Sequence, residues 1–140
     1  MRYLALDVGE RRIGIAVTES GLLATPHSVL QRRSKIEDFA YLERLVAELQ
    51  IERIIVGLPY SLAGHETIGP QARRIQRYAK ALGKAVDVPI DYYDESYSTV
   101  EAKNYLGQQG LRNPKKAKTG IDAAAATVIL QKYLDTKNKL

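Results

Sequence analysis

This chain of 140 residues lacks three features, and each absence excludes a class of protein. It contains no cysteine, which excludes a disulfide framework and a zinc–thiolate site. It has no apolar run near the roughly 20 residues that span a bilayer. We also expect it to lack a signal peptide, because the N-terminus enters a predicted strand directly. We therefore expect a cytoplasmic protein without a membrane partner, and one domain covering residues 1–140.

Acidic residues are in the minority, and the excess of cations favours a polyanionic partner. There are 21 Lys and Arg against 16 Asp and Glu, which gives a formal net charge of +5. Any one basic cluster can equally be a solvated face, but nine tyrosines add aromatic surface for stacking on bases. We expect nucleic acid to be bound by Arg11, Arg12, Arg73, Arg74, Arg77, Lys115, Lys116 and Lys118, and a further basic group lies at Arg32, Arg33 and Lys35.

Hydrophobic periodicity predicts an α/β protein. Apolar and β-branched runs predict strands at 3–8, 13–17, 22–30, 51–57 and 89–95, and helical spacing predicts helices at 35–49, from 71, at 98–110 and from 119. Pro26 marks the third strand as an irregular or edge strand. This order indicates a mixed five-stranded sheet, in which an antiparallel β1-β2-β3 meander is followed by parallel strands and helices flank the sheet.

Small residues and helix-capping residues predict where elements pack closely and where helices begin. Gly14 leaves room for a close neighbour on the second strand, and the alanine run 123–126 indicates close helix–sheet packing. Ser34 and Glu37 form a capping box that begins the first helix. Thr119 is a candidate N-cap for the last helix, which would make 111–118 a basic loop.

Three carboxylates fall at comparable points of the predicted fold. Asp7 ends the first strand, Glu95 ends the last strand, and Asp122 lies in the first turn of the final helix. The two strands could lie side by side, with the helix bringing the third acid to them. Clustered carboxylates repel one another unless a cation joins them. Oxygen ligands without His or Cys suit Mg²⁺ or Mn²⁺ rather than zinc, and two such ions can assist phosphodiester hydrolysis.

Each acid also has a simpler interpretation. Asp7 could cap a turn, and Glu95 could be an exposed strand-end charge. Asp122 could be an acid favoured by the dipole at a helix start, or the partner of Thr119 in a capping box. Spacing alone leaves both interpretations open.

Motifs along nearly the whole chain resemble the YqgF/RuvX family of Holliday junction resolvase-like proteins, also described as pre-16S rRNA nucleases. The resemblance rests on 4–9 with 12–17, 55–59 with 69–72, 94–95 with 98–102, and 122–125 with 129–134. It implies a ribonuclease H-like fold and a divalent-metal nuclease that trims the 5′ end of the small-subunit ribosomal RNA precursor. It also implies that Asp7, Glu95 and Asp122 are the catalytic, metal-binding acids.

The chain departs from the family pattern at two places. Ser96 stands where the family pattern has an Arg, so a phosphate contact there is lost or supplied by another residue. The segment 60–68 is longer than usual and carries His65, which is either a substrate contact or a solvated loop residue. These differences concern substrate choice more than the metal site.

Three other functions stay open at this point. Resolution of four-way DNA junctions would need two coordinated cuts and therefore a dimer. Binding of nucleic acid without catalysis would leave the acids as caps. An ATPase of the actin and sugar-kinase type is disfavoured, because it needs two such domains. We expect pre-16S rRNA rather than branched DNA as partner, together with ribosomal particles, and a monomer or weak homodimer.

Overall fold

The computed structural model describes residues 1–59, 69–94 and 114–138, with the backbone alone at 94 and 114–121. The strands are β1 (Tyr3–Val8), β2 (Arg12–Thr18), β3 (Thr25–Gln31), β4 (Arg53–Leu58) and β5 (Ile90–Asp94). The helices in these ranges are α1 (Lys35–Glu48), α2 (Pro70–Ala85) and α3 (Pro114–Lys137). None of them is long and apolar enough to cross a membrane.

The five strands form one mixed sheet in the order β3-β2-β1-β4-β5. β1 and β3 are antiparallel to β2, while β1, β4 and β5 run parallel. The predicted α/β class, the meander and the edge position of Pro26 are therefore confirmed. The prediction that the first and last strands lie side by side is wrong, because each crossover moves the chain one strand outward and β4 takes the place between them.

The two faces of the sheet carry different side chains, because successive residues of a strand point to opposite faces. Large residues such as Leu4 and Leu6 pack in one cluster with α1 and α2. Small residues such as Ala5 and Ala16 pack in the other cluster with α3. Residues 123–126 are all buried, so the predicted close packing of the alanine run is confirmed.

The observed first residues of two helices can be compared with the starts predicted from local sequence signals. Ser34 caps α1 as predicted, since its side chain accepts a hydrogen bond of 3.1 Å from the Glu37 amide. The prediction that α3 begins at Thr119 is wrong, because the helix already begins at Pro114. Proline suits a first helical position, and the lysines and alanine that follow it are good helix formers. Lys115, Lys116 and Lys118 therefore lie on helical backbone rather than in a loop.

Several predictions fall outside the described residues. They are the acid Glu95, the substitution at Ser96, His65 with its segment 60–68, and the helix at 98–110.

Candidate metal and nucleic-acid site

Asp7 lies near the carboxyl end of the central strand β1, on the face that packs against α3. Ala5, two residues earlier, belongs to the α3 cluster, and strand alternation gives Asp7 the same face. Asp7 is half-buried and pairs in register with Gly14 of β2. A polar side chain is thus placed where a packed helix meets the end of a strand.

The absence of a side chain at Gly14 lets α3 pack closely against this strand pair. A Cβ atom at Gly14 would collide with the backbone carbonyl of Asp122 and lie 3.1 Å from the Ala123 nitrogen. The predicted close neighbour of Gly14 is therefore the helix backbone at Asp122. Because Gly14 is also the register partner of Asp7, the same contact brings two of the three predicted acids to one face of the sheet.

Asp122 forms an ion pair across this face. The Arg12 Nε atom donates to its Oδ2 atom at 2.8 Å, with side chains 27% and 25% exposed. Arg12 was predicted to contact phosphate, and it has a carboxylate partner here. Asp122 lies about two turns beyond the start of α3. The interpretation of Asp122 as an acid at a helix start is therefore wrong, because the dipole effect is confined to the first turn.

The carboxyl ends of the parallel strands β1 and β5 lie at the same edge of the sheet. β1 ends beside Asp7, and β5 ends at Asp94, which directly precedes Glu95 in the sequence. Within the described ranges, no group of three or more His, Cys, Asp or Glu residues is close enough to hold a metal ion. Asp7 and Asp122 offer carboxylate oxygens on one face of the sheet, and such oxygens fit a hard divalent ion such as Mg²⁺. In this structure the Asp122 carboxylate is already paired with the Arg12 cation.

Cationic side chains border this edge. Arg11 is exposed in the turn between β1 and β2, and a cavity of about 300 Å³ lies between that turn and Asp122. On the other side of the sheet, a groove of about 690 Å³ runs along α2 past the exposed ring of Tyr92. Its predicted phosphate-binding residues are Arg73, Arg74 and Arg77, all exposed.

Sequence reasoning missed a second basic cavity, of about 360 Å³, between α1, α2 and the end of β1. Arg32 and Lys35 line it together with Arg74 and Arg77. The basic group at 32–35 is visible in the sequence, but its meeting with α2 depends on tertiary packing. No sequence signal connects positions about 40 residues apart in this way.

Comparison with known proteins gives a match over most of the chain. Residues 1–136 match the family model described as "RuvX: Holliday junction resolvase". A protein of Syntrophomonas wolfei is 43% identical over 136 residues, covering 96% of this chain and 94% of the relative. One from Thermoanaerobacter pseudethanolicus is 39% identical over 141 residues, covering 99% and 100%. Both carry the name "Putative pre-16S rRNA nuclease".

Solved structures share the fold at low sequence identity. Thermus thermophilus RuvC, in complex with a Holliday junction substrate, superposes with a TM-score of 0.61 at 15% identity, covering 99% of this chain and 96% of that one. Fowlpox virus resolvase, in complex with Holliday junction DNA, gives a TM-score of 0.60 at 10% identity, covering 99% and 100%. The fold is therefore that of the RuvC-like, ribonuclease H-like resolvases, as the resemblance implied.

Proposed function

Because the chain belongs to the RuvX family, we propose that it is a divalent-metal-dependent nuclease that processes the 5′ end of pre-16S rRNA. A nuclease is a hydrolase of phosphodiester bonds, and the RuvC-like fold implies a divalent metal. The observation that carries the proposal is the contact between Gly14 and α3, which sets Asp122 beside the strand pair that holds Asp7.

In this proposal the metal-binding and catalytic acids are Asp7, Glu95 and Asp122. Bound Mg²⁺ or Mn²⁺ would stabilise negative charge on the scissile phosphate and favour attack by water. The strand backbone fixes the position of Asp7, and the packed helix fixes that of Asp122. Arg12 balances the charge of Asp122 until the ion binds, and afterwards its guanidinium can turn to a phosphate oxygen.

The basic residues would hold the substrate backbone. Arg11 in the β1–β2 turn and the exposed arginines of α2 offer cations on both sides of the sheet edge. Affinity should therefore fall as the salt concentration rises. We assign the same role to Lys115, Lys116 and Lys118 on α3 from their sequence alone.

Relatives named for pre-16S rRNA favour RNA as the substrate, and ribosomal particles as the setting in which it is met. This substrate also implies a cytoplasmic location and requires no more than a monomer or weak homodimer. The family description favours a second candidate, resolution of branched DNA. That activity needs two coordinated cuts, so it predicts that the active species is a dimer.

Cleavage of two labelled substrates tests the proposal. A precursor segment containing the 5′ end of 16S rRNA and a four-way DNA junction are each incubated with Mg²⁺, Mn²⁺ or EDTA. We expect metal-dependent cleavage of the RNA, and we expect Asp7→Asn to lower the cleavage rate at least about a hundredfold. Mutation of residues that only support metal ligands already lowers activity by up to about a hundredfold. RNA binding should survive this substitution.

The matched control is Asp87→Asn, which makes the same chemical change at an exposed position between α2 and β5. It should cleave like the unmodified protein. Equal cleavage by the Asp7 variant would contradict the site, and preference for the junction would select the second candidate. Salt-sensitive binding without cleavage of either substrate would contradict catalysis by the isolated protein.

A further inference from the structure

The basic cavity between α1, α2 and the end of β1 lies apart from the carboxylate face. Val8, Ile75 and Tyr78 form part of its wall and belong to the hydrophobic cluster on the α1 and α2 side of the sheet. Asp122 belongs to α3, on the opposite side. The cavity is therefore separated from the proposed metal site by the thickness of the sheet.

The charges that line this cavity are suited to an anion. Among the described residues, four cations line the cavity (Arg32, Lys35, Arg74 and Arg77) together with one carboxylate, Glu10. Even when the nearby buried Asp38 is counted, cations exceed carboxylates by four to two. The apolar wall raises the strength of these interactions, because it excludes water from one side of the cavity.

Arg32 is held in place before any ligand arrives. Its Nη1 atom donates to the Gly9 carbonyl at 2.7 Å, and its guanidinium carbon lies 4.6 Å from the centre of the Tyr78 ring. Its Nε atom is 3.9 Å from the Asp38 carboxylate. A guanidinium has five N–H donors, so several remain for a ligand, and little side-chain freedom is left to lose on binding.

Asp38 and the groups that donate hydrogen bonds to it form a network beside Arg32. Asp38 is only 2% exposed, and it accepts hydrogen bonds from the Arg33 amide at 3.1 Å and the Tyr78 hydroxyl at 3.3 Å. Burial, reinforced by the charge of Asp38, raises the pKa of Tyr78 above the ordinary phenol value. The Tyr78 side chain therefore stays neutral and adds no negative charge to the cavity.

The Glu10 carboxylate, which lines the cavity, forms only an exposed ion pair. Glu10 lies 3.4 Å from Arg74, and the two side chains are 80% and 58% exposed. Exposed ion pairs of this kind contribute little and open readily. Arg74 can therefore exchange Glu10 for a ligand anion at small cost.

The β1–β2 turn connects this cavity to the proposed metal site. Gly9 and Glu10 line both the basic cavity and the cavity beside Arg12 and Asp122. We infer that the basic cavity binds a phosphate group of the nucleic-acid strand, which passes over this turn toward the acidic face. The choice of nucleic acid as ligand rests on the proposed function, while the phosphate chemistry rests on the cavity itself. The phosphate is either a terminal 5′ monoester or an internal diester.

Binding without cleavage tests this inference. A 3′-labelled single-stranded RNA, carrying either a 5′ phosphate or a 5′ hydroxyl, is titrated by fluorescence anisotropy in EDTA. The test variant is Lys35→Glu, at an exposed first residue of α1 where a carboxylate suits the helix dipole. The matched control is Lys84→Glu, at an exposed position of α2 that lines neither this cavity nor the neighbouring groove.

We expect Lys35→Glu to weaken binding about tenfold more than Lys84→Glu does, the size of one charge-assisted hydrogen bond. A loss confined to the 5′-phosphorylated RNA identifies the terminal monoester, and an equal loss with both RNAs identifies an internal diester. Equal weakening by the two variants on both RNAs would overturn the inference.

The test is independent of the proposed nuclease activity, because EDTA removes the divalent ion. A specific Lys35 effect in a protein that cleaves nothing would contradict the nuclease proposal alone. Metal-dependent cleavage without a specific Lys35 effect would contradict the phosphate cavity alone.

Discussion

Replacing Gly14 by alanine tests how the fold holds Asp122 beside Asp7. The added Cβ atom would meet the backbone of Asp122 and Ala123, which cannot move aside by changing a rotamer. The helix α3 must shift outward, so the substitution should loosen the packing of the α3 cluster and displace one proposed metal ligand. A loss of both stability and metal affinity is therefore expected.

The size of the effect follows from two opposing terms. Overpacking of a well-packed region costs up to about 3 kcal/mol, and a backbone neighbour places Gly14 at the upper end. Restriction of the unfolded chain by alanine offsets about 0.5 to 1 kcal/mol of this cost. We expect Gly14→Ala to lower the free energy of unfolding by about 2 kcal/mol.

The matched control is Gly83→Ala, on the exposed side of α2. Its added Cβ would lie 3.6 Å from the Ile90 Cδ1 atom, an ordinary contact. Alanine is the better helix former, so this variant should be about 1 kcal/mol more stable than the unmodified protein.

Urea unfolding followed by far-UV circular dichroism measures both free energies, and a Mn²⁺ titration measures metal affinity. If Gly14→Ala were as stable as the unmodified protein and bound Mn²⁺ equally well, the close approach of α3 would not be what positions Asp122.

Three further predictions concern single side chains. Asp38→Ala removes the acceptor of one buried and one partly buried hydrogen bond and should cost about 3 kcal/mol in urea unfolding, whereas a cost near zero would contradict the network. The pKa of Tyr78 lies above its unfolded value of 10.0, chiefly because the ring is buried, so the unfolded chain loses this proton first. Stability should therefore fall as the pH rises beyond about 10, and less so in Tyr78→Phe, as measured by unfolding at alkaline pH. Arg12→Gln frees Asp122 from its ion pair and should tighten Mn²⁺ binding about two- to fivefold in an electron paramagnetic resonance titration, and weaker binding would show that Arg12 supports the site.

The elements defined by local patterns were predicted from the sequence. The β-branched run at 54–56 correctly predicted a buried interior strand, and Ser34 correctly predicted the start of α1. Thr119 failed as a helix start, because a cap residue is only one of several signals and Pro114 begins the helix earlier. The local pattern also did not reveal that β4 lies between β1 and β5, since strand order depends on how the crossovers pack.

The candidate site was predicted in part. Gly14 indicated a close neighbour, but only the fold identifies that neighbour as the helix backbone at Asp122. The ion pair of Arg12 with Asp122 joins residues 110 positions apart, a distance that no periodic pattern reports. The role of Glu95 stays a prediction, because that residue lies outside the described ranges.

A crystal structure of the protein grown with Mn²⁺ would locate the proposed metal site, because anomalous scattering identifies the ion independently of any activity. We expect an anomalous peak within coordination distance of carboxylate oxygens of Asp7 and Asp122, on the α3 face of the sheet, and its loss in Asp7→Asn. Mn²⁺ bound only elsewhere, or no bound Mn²⁺ at millimolar concentration with the Arg12–Asp122 pair intact, would contradict the proposed site.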